Sequence, residues 1–263
     1  YFTGSKEHNV RLRELALAQG LSLSEHAFTK KNGQEILCAT EAEVYRTVGL
    51  PYIPPELRED RGEIQAAQRG ALPRLIEVKD LQSDLQSHST WSDGAVSIRE
   101  MAQAARARGL KGLAVTDHSQ SLGVTGGLTP QRLRAQRREI DAVQAEVGVG
   151  FSLLQGAEVE IRADGSLDYG DAVLEDLDIV VASLHTTLRQ ERGKITDRLI
   201  RAMRNRHVDI IGHPTGRLIG ERDGADLDME AVLTAAAENG VALEINANPA
   251  RLDLDDVYAR RAL

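Results

Sequence analysis

Six short apolar runs in this 263-residue chain each lead into a histidine or an acidic residue. They end as Asp84-Leu-Gln-Ser-His88, Leu113-Ala-Val-Thr-Asp117-His118, Leu153-Leu-Gln-Gly-Ala-Glu158, Ile179-Val-Val-Ala-Ser-Leu-His185, Ile210-Ile-Gly-His213 and Leu243-Glu244-Ile-Asn-Ala-Asn248. Polar groups at the carboxyl ends of successive parallel strands converge on one face of an α/β barrel. Imidazoles mixed with carboxylates suit divalent ions of the Zn, Mn or Fe kind. Four of the seven histidines occupy these ends, so the pattern implies a polynuclear metal site.

The individual motifs sharpen this reading. Gln86 and His88 fall on one side of a strand, and Asp93 returns on the following turn. A lone histidine reads more readily as structural, but recurrence at analogous strand ends favours a ligand. In Thr116-Asp117-His118 the histidine is the ligand candidate and Asp117 the residue that could orient one. Glu158 and Glu160 share a face; a carboxylate there can bridge two ions about 3.5–4 Å apart. Glu160 itself reads better as a solvated strand end. His185 closes a nearly all-apolar run, where an unpartnered ring would be costly. Arg217, in Pro214-Thr-Gly-Arg217, could clamp a phosphate by paired hydrogen bonds. Trp91 could stack a base or pack on the barrel rim. His8, His26 and His207 have no strand-end position and read as structural or surface residues.

The elements that must position these groups divide near residue 72. The first part reads as α-rich and loop-like: helices over Val10–Gly20, Glu41–Val48 and Gly62–Arg69, with Pro51-Tyr-Ile-Pro-Pro55 extended between them. It has few apolar residues, and the expectation is that it lacks a strong core of its own. From 73 onward strands alternate with helices. Ser97-Ile-Arg-Glu100 is a capping box, with Ile98, Met101, Ala102 and Ala105 on one face and Gly109 as the stop. Thr129-Pro130 opens a second helix. Ile195, Leu199, Ile200 and Met203 mark a third, and Met229, Val232, Leu233 and Ala236 a fourth, stopped by Gly240. This alternation predicts a parallel sheet closed or nearly closed into an α/β barrel, which lacks a last strand after Asn248.

Composition limits the alternatives. The net charge of −8 argues against a polyanion-binding surface over the whole molecule, although bound ions would reverse the field locally. The single cysteine, Cys38, excludes an internal disulfide and fits a reducing, cytoplasmic compartment. No apolar run reaches the roughly 18 residues of a membrane span, so no membrane partner is expected. The chain begins at Tyr1, which leads us to expect a portion of a longer protein.

These residues carry a resemblance. The HxH-like, Thr-Asp-His, Gly-Ala-Glu, Ser-Leu-His and His-Pro-Thr-Gly-Arg segments follow one another over residues 80–263 as in the PHP (polymerase and histidinol phosphatase) domain. Tyr1-Phe-Thr-Gly-Ser-Lys-Glu-His-Asn9 is similar to the palm-to-thumb junction of family X DNA polymerases, and Tyr52-Ile-Pro-Pro-Glu-Leu-Arg58 to the end of their thumb. The resemblance implies a palm/thumb segment over 1–72 and a PHP phosphoesterase domain over 73–263. The expected fold is a distorted (β/α)7-type barrel, incomplete at its C-terminus.

On that resemblance the metal ligands are His88, Asp93, His118, Glu158, His185 and His213. Gln86 replaces the family's first histidine, so the ion beside it should be the loosest of up to three, Mn or Zn. Water activated by these ions, its pKa lowered to about 7, would attack a phosphodiester, with His118, Glu158 and Arg217 as the catalytic group. The implied activity is a 3′–5′ exonuclease serving a linked DNA repair polymerase, whose own site, requiring Mg or Mn, is not in this sequence. Tyr1, Phe2 and Gly4 would line the incoming-nucleotide pocket, and Asn9 and Arg13 would approach the nascent base pair. DNA and dNTP are the implied partners, and the isolated chain is not expected to polymerise. Two alternatives stand: a phosphomonoesterase of the histidinol-phosphatase type, and a scaffold whose site has weakened at Gln86.

Overall fold

Short β-branched runs separated by capped, one-faced helices are the recipe for strand–helix–strand crossovers, and residues 83–243 follow it throughout. The computed structural model describes residues 3–263; Tyr1 and Phe2 lie outside them. The described chain falls into two compact units that meet between Glu77 and Val78.

In the second unit β4 (Ser83–Ser87), β5 (Gly112–Val115), β6 (Ser152–Glu160), β7 (Ile179–Ser183), β8 (Ile210–Gly212) and β9 (Ala242–Leu243) form one sheet in that order. Every neighbouring pair is parallel. A doubly wound sheet reverses its strand order once and places helices on both faces. Here the order never reverses, so crossovers of one hand keep the helices outside and curl the sheet around its other face. The result is a curled, six-stranded parallel half-barrel, as the incomplete barrel reading requires. The run at 243–248 departs from that reading: only Ala242–Leu243 pairs with β8, and Asn246 turns back to bridge Asp253.

The connecting helices begin and end on their sequence signals. Helix α4 (Ile98–Ala107) carries the full Ser97/Glu100 capping box, and α5 (Pro130–Val147) starts from Thr129 with Pro130 in its first turn. Helix α6 (Asp171–Leu174) is a single turn. Helices α7 (Arg192–Met203) and α8 (Met229–Asn239) bury Ile195, Leu199 and Val232 completely against Val180, Ala182 and Ile211 of the sheet. A second cluster packs Ile98, Ala102, Ile140 and Val143 on Leu113 and Val115. Truncating such a residue, Leu199→Ala for example, costs about 2–5 kcal/mol. Helix α9 (Asp256–Arg261) follows the last strand.

The first unit corrects two expectations. Its helix α1 spans Lys6–Ala18, starting four residues before Val10 because the Ser5 side chain caps the His8 amide. A three-stranded antiparallel sheet, β1 (Leu21–Leu23), β2 (Phe28–Lys30) and β3 (Glu35–Ile36), follows where loop was expected. With α2 (Glu41–Thr47) and α3 (Glu63–Gln68) it encloses a core of its own, with Leu12, Ala16, Phe28, Val48, Ile53 and Ile64 buried. Apolar groups from six short elements share that centre, which a count along the sequence underestimates.

Candidate metal centre

Each of the four strand-end histidines leaves the sheet at the carboxyl end of its strand. His88 follows β4 directly, and the chain then doubles back to bring Asp93 alongside. A side chain at Gly94 would collide with the His88 carbonyl, so this return needs glycine. His118 lies three residues beyond β5, where it bridges to Glu158 of β6. His185 and His213 follow β7 and β8. His213 has φ +27°, an unusual backbone conformation that turns its ring inward.

These groups converge on Glu158, which is 1% exposed. Its Oε2 lies 3.2 Å from His88 Nε2 and 3.4 Å from His118 Nδ1. Its Oε1 lies 3.1 Å from His185 Nε2 and 2.8 Å from His213 Nε2. Asp93 stands on the outer side, 3.5 Å from His88 Nδ1 and 3.5 Å from His118 Nε2. The rings stand in a row, with centroids 4.4, 5.3 and 5.1 Å apart from His88 to His213. One carboxylate thus divides four imidazoles into two pairs.

The electrostatics follow from burial. Desolvation would raise the Glu158 pKa, but the surrounding histidines overcome it and hold the carboxyl well below its ordinary range. Burial alone would lower His185; Glu158 and Glu160 reverse that and raise it to about 9. His88 is likewise depressed by burial and raised on balance, chiefly by Glu158. His118, whose desolvation dominates and which sits among other imidazoles, is lowered.

The residues fit divalent ions. Among the described residues, two groups of three side chains each offer ligand atoms within 4.8 Å of one another: His88, His118 and Glu158, and Glu158, His185 and His213. His88 Nδ1, His118 Nδ1, His213 Nδ1 and Glu158 Oε1 are buried without an aligned hydrogen bond. Lone-pair donors left unsatisfied in a buried cluster are what a bound cation would satisfy.

Other expected residues fall elsewhere or act differently. Gln86 lies beside the cluster, its buried Oε1 lacking a hydrogen bond and facing Gly212. Asp117 is fully buried, and its hydrogen bonds among the described residues are to other groups than the histidines: it accepts from Ser89 N, Ser89 Oγ and Gln136 Nε2 at 2.6–2.8 Å, and from Ser92 Oγ. It therefore fixes the 89–92 loop that leads to Asp93. Arg217 donates from Nε and one Nη to the carbonyls of Arg251 and Leu252, and its other Nη lies 3.8 Å from Asp255. Trp91 donates to Glu139 at 2.8 Å and lies under Arg132, as rim packing requires. Glu244 is not a ligand candidate; it accepts the His213 amide. His26 and His207 lie outside the cluster. His8 is buried between Glu63, 2.5 Å away, and the Tyr45 hydroxyl, 2.9 Å away. Gly4, Asn9 and Arg13 belong to the first unit: Gly4 (φ +90°) packs against Arg58, Asn9 donates to the Ser5 carbonyl, and Arg13 is half-buried on α1. Tyr1 and Phe2 fall outside the described residues.

Sequence reasoning missed Glu160. It is 2% exposed rather than solvated, and its carboxylate faces the His185–Thr186 segment. Its place two residues after Glu158 was the available signal.

Residues 84–248 match the PHP domain. The chain belongs to that family. Residues 1–59 match the DNA polymerase beta thumb, so a thumb match precedes the PHP match along the chain. The chain is 47% identical over 263 residues to the DNA polymerase/3′-5′ exonuclease PolX of Bacillus subtilis, covering 100% of this chain and 46% of that protein. It is 35% identical over 168 residues to a Shewanella oneidensis protein named "Probable phosphatase", covering 62% of this chain and 61% of that one. The chain therefore spans about half to three-fifths of the length of these relatives. A Listeria monocytogenes structure assigned as a histidinol phosphatase shares the fold, with a TM-score of 0.52 at 11% identity over 69% of this chain and 90% of that one.

Proposed function

We propose that this chain is the thumb and PHP portion of a cytoplasmic family X DNA repair polymerase, and that its PHP domain is a metal-dependent 3′–5′ exonuclease. The observation that carries the reading is Glu158, one buried carboxylate shared by two pairs of imidazoles. His88, Asp93, His118, Glu158, His185 and His213 would hold two or three Mn²⁺ or Zn²⁺ ions. Such ions supply Lewis acidity toward a phosphate oxygen and lower the pKa of water to about 7. The protein's part is to bind and orient. Glu158 fixes the spacing of the two histidine pairs, Asp93 holds His118 from the open side, and the fully buried β7 keeps water from beneath. Tyr1, Phe2, Gly4, Asn9 and Arg13 would serve the nucleotide and DNA in the polymerase reaction, which also requires Mg²⁺ or Mn²⁺ at carboxylates outside this sequence.

A 5′-labelled oligonucleotide incubated with the protein and Mn²⁺ tests this. Stepwise shortening from the 3′ end, abolished in a His118→Ala/Glu158→Ala variant, is expected. No cleavage with Mn²⁺, Zn²⁺ or Mg²⁺ would overturn it. The match to the Shewanella protein favours a second reading, a phosphomonoesterase. Faster turnover of a nucleotide-free phosphomonoester than of an oligonucleotide would select it.

A further inference from the structure

Glu160 closes β6, opposite Ser183 of β7. Its Oε2 accepts from the His185 backbone amide at 3.2 Å and from the ring Nδ1 at 2.8 Å. Its Oε1 accepts from the Thr186 amide at 3.2 Å and the Thr186 hydroxyl at 2.6 Å. Both oxygens are therefore committed to the two residues that follow β7. A carboxylate at 2% exposure is costly unless opposite charge and donors surround it.

Arg198 of α7 supplies that charge from a site equally buried at 2% exposure. Its Nη2 stands 3.5 Å from Glu160 Oε1. The same guanidinium ties β6 to the loop after β7: Nε and Nη2 donate to the Ile161 carbonyl, and Nη1 donates to the carbonyls of Thr186 at 3.0 Å and Thr187 at 3.3 Å. Helix, strand end and histidine loop are locked through two side chains.

The consequence falls on His185. A carboxylate offers only lone pairs, so the nitrogen facing Glu160, Nδ1, carries the proton. Nε2 is then left to coordinate, 3.1 Å from Glu158 Oε1. Outer carboxylates of this kind set the tautomer and aim of a metal-bound imidazole.

We propose that Glu160 and Arg198 are positioning residues of the metal centre, fixing His185 with Nδ1 protonated and Nε2 directed at the ion it shares with Glu158. This rests on the metal-centre reading above.

The test is Zn²⁺ and Mn²⁺ affinity, measured by chelator competition on the wild type, Glu160→Gln, Glu160→Asp and His185→Ala. Thermal melts establish that each variant is folded, and ¹⁵N shifts of Zn-loaded protein report which His185 nitrogen is metallated. Glu160→Gln should lose about 10- to 100-fold in affinity, with kcat falling more than KM rises, and Glu160→Asp should recover part of it. Should Glu160→Gln not fold, Arg198→Lys is measured in its place with the same expectation. Wild-type affinity in a folded variant, or metal on Nδ1 of the wild-type ring, would overturn the positioning role while leaving the metal centre standing. A wild-type protein that binds neither ion would overturn both.

Discussion

His213 Nε2 stands 2.8 Å from Glu158 Oε1, an oxygen that nevertheless has no aligned hydrogen bond. The contact is closest at the carboxylate that also faces the other pair of histidines, so Glu158 couples the two halves of the centre. Glu158→Gln keeps the shape and removes the shared charge. Both metal positions should weaken together, by at least the about 100-fold at the upper end for loss of an outer partner. His88→Ala should instead weaken one position and spare the other. Metal stoichiometry by elemental analysis of the two variants distinguishes shared from separate control.

On the proposed metal reading, an imidazole at position 86 would add a ligand to the His88 side of the centre. The buried Oε1 of Gln86 has no hydrogen-bond partner and lies beside Gly212, which has no side chain to obstruct a ring. Gln86→His should therefore strengthen Zn²⁺ binding by about tenfold, equivalent to about 1.4 kcal/mol. Calorimetric titration of the metal-free protein checks this, and an unchanged isotherm would mean that position 86 faces no ion.

The strand-end histidines were legible because a buried parallel strand reads as an apolar run, which makes a terminal histidine conspicuous. The role of Glu160 was hidden because what determines it, Arg198, lies 38 residues away on the crossover helix after the next strand. Asp117 reads from the sequence as a residue that could orient a histidine, whereas its partners are Ser89 and Ser92 of one loop and Gln136 of α5, which no spacing along the chain brings together. Arg217 illustrates the converse. Its type suits a phosphate, yet nearby carbonyls at 251 and 252 use its donors first. In the first unit, strands of two and three residues are too short to show alternation, so the sheet around Asn32-Gly33 escaped notice.

Metal uptake should release protons. His185 titrates at about 9 without metal because Glu158 and Glu160 outweigh its burial. At pH 7 an entering ion must displace that proton, so affinity should rise from pH 6.5 to 9 and level off above. The sign for stability is the reverse. A raised histidine contributes fully below its ordinary pKa near 6.5, and that contribution is lost as pH rises through 9. The metal-free protein should thus lose stability across this range while the metal-loaded protein does not, as paired thermal melts at pH 6.5 and 9 would show.

Acid should act on the first unit through Glu41. Hydrogen bonds from Arg58 and then Thr3 outweigh burial and hold its carboxyl at about 2, against the usual value of 4.5. Arg58 is buried and donates to both Glu41 oxygens, at 2.8 and 3.1 Å, while Glu41 remains 38% exposed. Solvent screening limits the pair to about 1 kcal/mol. A depressed carboxyl contributes above its ordinary pKa and loses the contribution as pH falls toward the depressed one. Glu41→Gln should consequently destabilise the protein at pH 7, and the difference from wild type should shrink between pH 4.5 and 2. Urea unfolding at pH 7, 4 and 2.5 measures that difference, and a gap independent of pH would exclude the Glu41 charge as its source.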